Sequence, residues 1–159
     1  MNRWNIMVLA TVVAFGLALL PANSAAQSSE MDKVKAANNA FHVALDSLDI
    51  HKMEDVWAHE AYVSLINPRD KAISIGWDAV KRNWETVFAF WSELKTPPHD
   101  GPHIHISGNI AWLTAIADTS GKTKTGTSVN NALTFETQIL EKRGDRWLIV
   151  SHTASRVPQ

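Results

Sequence analysis

Two ionisable side chains fall inside predicted strands whose other positions are largely apolar. Glu136 lies in the strand predicted over residues 127–141, and His152 lies in the next strand, residues 146–155. A carboxylate in the middle of a sheet needs a polar partner or a wet pocket, and histidine exchanges protons near neutral pH. One interpretation is general acid/base catalysis by these two side chains. The other is structural: Glu136 lies on a solvated outer face or pairs with Arg146, and His152 is a hydrogen-bonded core residue.

A second group of residues has the spacing of metal ligands. His103 and His105 alternate on one predicted strand, and His99 is nearby, so the imidazoles could approach one metal ion. The sequence fixes no carboxylate or third histidine beside them, and Trp112 is the predicted cross-strand neighbour of His105. We therefore predict packing at this strand, and neither a metal nor another cofactor.

The element that must position a pocket is a helix predicted over residues 77–94. Its apolar residues recur at three- and four-residue steps, which places them on one stripe: Trp77, Val80, Trp84, Val87, Trp91 and Leu94. Burying one indole contributes up to about 5 kcal/mol, so this stripe must lie against a broad apolar surface. We expect most of it in the core, with the alternative that one or two rings line a pocket for an apolar ligand.

Two predicted helices precede this element. Ser28 or Ser29 is predicted to cap the first, residues 28–48, and Asp49 opens a short second helix. The strands are predicted at residues 61–66, 71–75, 103–107, 110–118, 127–141 and 146–155, with a mobile loop at residues 120–126. Helices followed by consecutive strands indicate the α+β class.

The first residues have the pattern of a signal peptide. A basic start at Arg3, an apolar run over residues 6–20 and small residues up to Ala26 predict a leader over residues 1–26. The remaining residues, 27–159, are predicted to form one domain that is periplasmic or secreted, without stable membrane association after cleavage. With no Cys, no disulfide stabilises it. The 15 basic and 16 acidic residues, without a basic run, argue against a nucleic-acid partner.

The dipeptide at positions 108 and 109, Gly-Asn, predicts a two-residue hairpin turn and thereby a register. One face of this hairpin is predicted to receive the helices: Ile104, Ile106, Ala111, Leu113 and Ala115. The opposite face is also largely apolar and carries His103, His105, Ile110, Trp112 and Ile116. An apolar outer face needs a cover, so we predict a homodimer through it.

The order of elements and the end of the chain resemble the SnoaL-like branch of the nuclear transport factor 2-like superfamily. The last strand also looks like that of the calcium/calmodulin-dependent kinase association domain, through Trp147, Ile149, Val150, Ser155 and Pro158. Ser151 and Thr153 stand where that domain has alternating histidines, with His152 between them. The resemblance implies a cystatin-like or nuclear transport factor 2-like cone, in which a curved antiparallel sheet of about six strands wraps on three N-terminal helices. It also implies a pocket at the wide end of the cone and frequent homodimers.

Ketosteroid isomerase belongs to the same superfamily, and the resemblance places its functional positions on this sequence. Its base position falls on Asn67, its tyrosine position on Phe41, and its third position near residues 134–136. Asn67 cannot accept a proton at neutral pH, and Phe41 has no hydroxyl group. Steroid isomerisation by that mechanism is therefore not expected, while cyclase, dehydratase or hydrolase chemistry stays open.

The sequence thus predicts an exported SnoaL-like domain that binds a small, largely apolar molecule in the cone. The predicted ligand-binding residues, which adjoin His152, are Phe41, Trp57, Tyr62, Asn67, Trp84 and Trp91. One alternative is an acid/base enzyme in which His152 and Glu136 carry protons. A second alternative is a scaffold whose role is oligomerisation.

Overall fold

Three helices and two short strands form the first part of the chain, and consecutive strands form the second part. The computed structural model describes residues 22–158. The helices in this range are α1 (Ala22–Ser47), α2 (Ile50–Val56) and α3 (Trp77–Phe90). The strands are β1 (Ser64–Ile66), β2 (Ser74–Ile75), β3 (Trp91–Lys95), β4 (Pro98–Ser107), β5 (Ile110–Thr123), β6 (Ser128–Arg143) and β7 (Arg146–Arg156). The α+β class is confirmed.

The strands form one curled sheet in the order β2-β1-β7-β6-β5-β3, and β4 pairs with the same edge of β5 as β3 does. All neighbouring pairs are antiparallel except β1 and β7, which run parallel from Ser64 beside Ser151 to Ile66 beside Thr153. The sheet is therefore mixed, whereas the sequence predicted an antiparallel one. No hairpin links β1 to β7, so turn-based reasoning cannot predict how they pair.

The predicted hairpin register between β4 and β5 is confirmed. Ile106 faces Ala111, and His105 faces Trp112. Gly108 has φ of 60°, a left-handed conformation that glycine adopts without a steric cost. The inward face contributes Ala111 and Leu113 to the core, and Trp112 on the opposite face is 43% exposed.

The helix predicted over residues 77–94 is shorter in the structure, because Trp91 and Leu94 belong to a strand. α3 ends at Phe90, and β3 pairs antiparallel with β5, which places Leu94 beside Gly121. A Cβ atom at Gly121 would lie 2.3 Å from the carbonyl oxygen of Glu93, so only glycine permits this close approach. The pairing also makes residues 120–123 part of β5 rather than of a mobile loop.

The core lies between the helices and the inner face of the sheet. From α3 it receives Val80, Trp84 and Phe88, all less than 9% exposed. The predicted cap of α2 is confirmed, since Asp49 Oδ1 accepts hydrogen bonds from the backbone N–H of His51 at 2.9 Å and of Lys52 at 3.4 Å. These hydrogen bonds fix the first turn of α2.

The start of α1 differs from the prediction, because Ser28 and Ser29 lie inside the helix Ala22–Ser47 rather than at its cap. The predicted leader over residues 1–26 lies largely outside the described residues, so export stays a prediction. None of the helices in residues 22–158 has the length and hydropathy required to cross a bilayer.

Candidate functional site

A cavity of about 530 Å³ lies between α3, β3 and the inner face of the sheet. Its apolar lining comes from Leu45, Pro68, Trp84, Val87, Phe90, Trp91, Leu94, Val129, Ala132 and Ala154. Its hydroxyl groups come from Thr86, Thr96, Thr119, Thr123, Thr125, Thr127 and Thr134. This volume is typical of sites for small organic molecules, which are mostly apolar with a few fixed polar groups.

Five of the predicted site residues line this cavity: Asn67, Trp84, Trp91, Glu136 and His152. They come from four different elements and the segment after β1, so the fold brings together residues that are distant in sequence. Trp91 reaches the cavity from β3 rather than from the helix. Their roles in binding or catalysis stay predictions.

Phe41 and Trp57 do not line the cavity, contrary to the prediction. Phe41 is fully buried and packs edge-on against Trp84, with ring centroids 5.6 Å apart. Trp57 is 2% exposed and lies 6.4 Å from the same indole. These two rings support the wall of the cavity from behind, as core residues.

Tyr62 also lies away from the cavity. Its side chain is on the surface, with 52% of the residue exposed. Its hydroxyl group donates a hydrogen bond to Glu141 Oε2 at 2.7 Å and accepts one from the Arg143 guanidinium. Through these hydrogen bonds Tyr62, the only tyrosine of the sequence, links the segment before β1 to the end of β6.

Glu136 is buried at the cavity wall, with 5% of the residue exposed. Burial raises its pKa from 4.5 to about 7, because the charged carboxylate loses its hydration. Its Oε2 atom lies 3.4 Å from His42 Nε2 but has no hydrogen-bond partner in the described part of the chain. Both structural interpretations of Glu136, a solvated outer face and a pair with Arg146, are wrong, because β6 turns this position inward and the Arg146 guanidinium donates to the carbonyl oxygen of Asp55.

The ionisable side chain in contact with Glu136 is His42 of α1, and among the described residues no hydrogen bond or ion pair joins Glu136 to His152, the predicted partner. In the sheet, Glu136 faces Ala115 and Ala154, whereas His152 faces Gln138. Glu136 and His42 are far apart in sequence, and the packing of α1 on β6 brings them together. Sequence reasoning missed His42, although Asp46 one helical turn later marks a polar position on the same face of α1.

The hydrogen bonds around His42 fix which ring nitrogen carries the proton. Asp46 Oδ1 accepts from the backbone N–H and the hydroxyl group of Thr96, at 2.8 Å and 2.9 Å. Since the Thr96 hydroxyl proton is used in that bond, Thr96 Oγ1 accepts from His42 Nδ1 at 3.1 Å. The neutral ring therefore carries its proton on Nδ1, and its Nε2 lone pair faces Glu136.

Burial also governs the two histidines near the cavity. It lowers the pKa of His42, against the opposing effect of Asp46. It lowers the pKa of His152 to about 3, with a smaller contribution from His42. His152 lies between Phe41 and Trp84, at centroid distances of 4.8 Å and 6.0 Å. It is a neutral ring at physiological pH, which suits it to packing and hydrogen bonding more than to proton donation.

The histidines of β4 lie on the opposite, outer face. His103 Nε2 lies 3.2 Å from Asp100 Oδ1, and the His105 ring lies 4.2 Å from Trp112. Within residues 22–158, no group of three or more His, Asp or Glu side chains is placed to hold a metal ion. His105 is thus a packing partner of Trp112.

Comparison with known proteins identifies the family of this chain. The sequence profile of the SnoaL-like domain matches residues 34–159. Among curated protein sequences, none is significantly similar to this chain.

Three solved structures illustrate the similarity. A candidate dehydratase of the nuclear transport factor 2-like family from Streptomyces avermitilis superposes with a TM-score of 0.74 at 22% identity, over 83% of this chain and 99% of that one. A candidate calcium/calmodulin-dependent protein kinase type II association domain from Thiobacillus denitrificans gives 0.67 at 22% identity, over 78% and 94% of the two chains. A ketosteroid isomerase-like protein from Erwinia carotovora atroseptica gives 0.68 at 17% identity, over 82% and 98%. These similarities show the fold, and the predicted nuclear transport factor 2-like cone is confirmed.

Proposed function

The chain belongs to the SnoaL-like domain family, and we propose that it binds a small, largely apolar molecule in the cavity of the cone. The observation that carries this proposal is a cavity of about 530 Å³ with two indole rings, Trp84 and Trp91, in its lining. The cavity leaves apolar surface in contact with water, and a guest that covers this surface is stabilised by about 25 cal/mol per Å².

Isothermal titration calorimetry with 2-methoxynaphthalene tests the proposal. At about 0.5 kcal/mol per non-hydrogen atom, this probe should bind with a dissociation constant on the order of 10–100 µM. Ala132→Phe places a ring in the cavity and should weaken binding at least about tenfold, whereas the same substitution at exposed Ala89 on α3 should leave binding unchanged. Absence of binding to the wild type, or equal binding to both variants, contradicts the proposal.

A second candidate function is acid/base catalysis in the same cavity, favoured by the surroundings of Glu136. A buried carboxyl group with a pKa of about 7 exchanges protons at physiological pH, and the Nε2 lone pair of His42 lies 3.4 Å away to receive one. The structural relatives named as a candidate dehydratase and as ketosteroid isomerase-like make a hydroxyl or carbonyl compound the natural substrate class to test. The proton carriers would be Glu136 and His42, rather than Glu136 and His152.

Glu136→Gln separates the two functions. It preserves the shape of the side chain and removes the titrating proton, so it should abolish turnover by an enzyme and leave apolar binding within about threefold. His152→Leu should affect turnover much less. Turnover that survives Glu136→Gln removes this candidate function.

We also propose that the outer face of the sheet joins two copies of the chain. Four large apolar residues are exposed on this face: Ile110, Trp112, Phe135 and Ile139. Trp112 pairs with Ile139 across β5 and β6, and the outward positions between them and Phe135 carry no charged side chain. An uncharged apolar face is complementary to an identical copy of itself.

Sedimentation velocity at about 20 µM tests the dimer. The wild type should sediment as a dimer, and Trp112→Glu as a monomer, because each copy would bury an unpaired charge. Ile75→Glu, at an apolar position on β2 that is 63% exposed, should stay dimeric. A monomeric wild type contradicts this proposal. A dimer that shows neither binding nor turnover favours the scaffold alternative.

Export rests on the leader pattern in residues 1–26. Expression of the full chain in a bacterium should give a periplasmic or secreted product whose mass corresponds to a first residue of Gln27. A product that retains residues 1–26 and stays in the cytoplasm contradicts export.

A further inference from the structure

A chain of amide groups connects the rim of the cavity to its interior. Asn83 of α3 donates through Nδ2 to Asp70 Oδ2 at 2.7 Å and to Ser74 Oγ at 3.0 Å. Asn67 donates through Nδ2 to Asn83 Oδ1 at 3.0 Å. The backbone N–H of Asn67 donates to the same Asp70 oxygen at 2.8 Å. Three residues from three segments, Asp70, Ser74 and Asn83, thus hold the side chain of Asn67 at the cavity wall.

The carboxylate of Asp70 sets the direction of the whole chain. An ionised carboxylate only accepts hydrogen bonds, so Asn83 must turn its NH₂ group toward Asp70. Its carbonyl oxygen then faces Asn67, which must turn its own NH₂ group toward Asn83. The remaining polar atom of Asn67, its Oδ1, is left as an acceptor that points away from the chain of amides.

This acceptor has no hydrogen-bond partner among the residues that the structure describes. Asn67 is only 8% exposed and lines the cavity. An acceptor that is held in place at the cavity wall and has no partner within the protein favours a guest that can donate a hydrogen bond.

We propose that the cavity selects molecules that carry a hydroxyl or N–H donor on an otherwise apolar body, and that Asn67 Oδ1 accepts this donor. Asp70 is the positioning residue, and it acts through Asn83. The inference rests on the proposed binding function and names the class of ligand: apolar alcohols, phenols and amines are bound in preference to ethers and hydrocarbons of the same shape.

Calorimetric titration with 2-naphthol and 2-methoxynaphthalene compares a donor with a methyl ether of the same ring system. The wild type should bind 2-naphthol about tenfold more tightly, which is the range expected for one hydrogen bond to an otherwise unpaired acceptor. Asn67→Leu removes the acceptor and should reduce the ratio of dissociation constants to less than about threefold. The same substitution at exposed Asn39 of α1 should keep the tenfold ratio.

Asp70→Asn is the second variant, because it keeps the shape of the site while the new side chain can donate as well as accept. The two amides are then free to turn over, and the ratio should fall below about threefold although Asn67 is present. Far-UV circular dichroism and the melting temperature show that each variant is folded.

The outcomes distinguish the inference from the binding proposal. If both probes bind the wild type equally, the inference is wrong and the binding function stands. If neither probe binds, both are wrong. A ratio that survives Asn67→Leu but is lost in Glu136→Gln places the recognition at Glu136 and overturns the inference.

Discussion

Replacing Glu136 by glutamine should remove a pH dependence from the stability of the protein. The pKa of this carboxyl group rises from 4.5 to about 7 on folding because the group is buried. The folded state therefore holds a proton that the unfolded chain releases between pH 4.5 and pH 7. Stability from this group is fully present below pH 4.5 and decreases as the pH rises through about 7.

The size of this effect on stability follows from the two pKa values of Glu136, in the unfolded and in the folded state. Each tenfold change in proton affinity corresponds to about 1.4 kcal/mol, so ionised Glu136 destabilises the fold by up to about 3 kcal/mol above pH 7. Glu136→Gln keeps a polar side chain of the same size without a charge. It should be about as stable as the wild type at pH 4.5 and up to about 3 kcal/mol more stable at pH 8.

Urea unfolding at half-unit steps from pH 4.5 to pH 8 measures this difference. Because the two chains share every other titrating group, the difference between their free energies of unfolding isolates the contribution of Glu136. Glu93→Gln, at an exposed position of β3, is the matched control and should show no comparable trend. A difference between Glu136→Gln and the wild type that stays constant over this range would refute the account of a buried, protonated carboxyl group.

Three further changes test other parts of the site. His152→Leu should shift acid unfolding to lower pH. The reason is that the pKa of His152 falls from 6.5 to about 3 on folding, so the wild type loses stability as the pH falls through that range. An unchanged midpoint of acid unfolding would argue against a buried neutral ring. Gly121→Ala should lower the free energy of unfolding, measured in urea, by about 2 kcal/mol or more, because the new Cβ atom would lie 2.3 Å from the Glu93 carbonyl oxygen. A loss below about 0.5 kcal/mol would show that β3 moves away freely. In ¹⁵N NMR spectra, neutral His42 should carry its proton on Nδ1, and Asp46→Asn should weaken this preference; a proton on Nε2 in the wild type contradicts the inferred hydrogen-bond direction.

The features that sequence predicts well here are those set by near neighbours in the chain. The register of β4 and β5 follows from a two-residue turn, and Asp49 caps α2 through bonds to the next few residues. In the same way, alternation along β6 allowed Glu136 to be singled out before any partner was known. In each case the feature is determined by residues close together in the chain, so the local sequence pattern is enough to predict it.

The features that sequence misses depend on distant segments. Trp91 and Leu94 continue the helical spacing of α3, but pairing with β5 beside Gly121 outweighs that local preference. His42 meets Glu136 only because α1 packs across β6. Trp57 has the residue type of a ligand contact, and burial against Trp84 makes it a core residue instead.

Anomalous diffraction at the bromine edge, from crystals of the protein grown with 6-bromo-2-naphthol, tests whether the cavity binds a small apolar molecule. We expect a bromine peak inside the cavity, in van der Waals contact with Trp84 or Trp91. A peak only on the outer face beside Trp112, or an occupied cavity that contains side chains instead of the probe, would contradict this expectation.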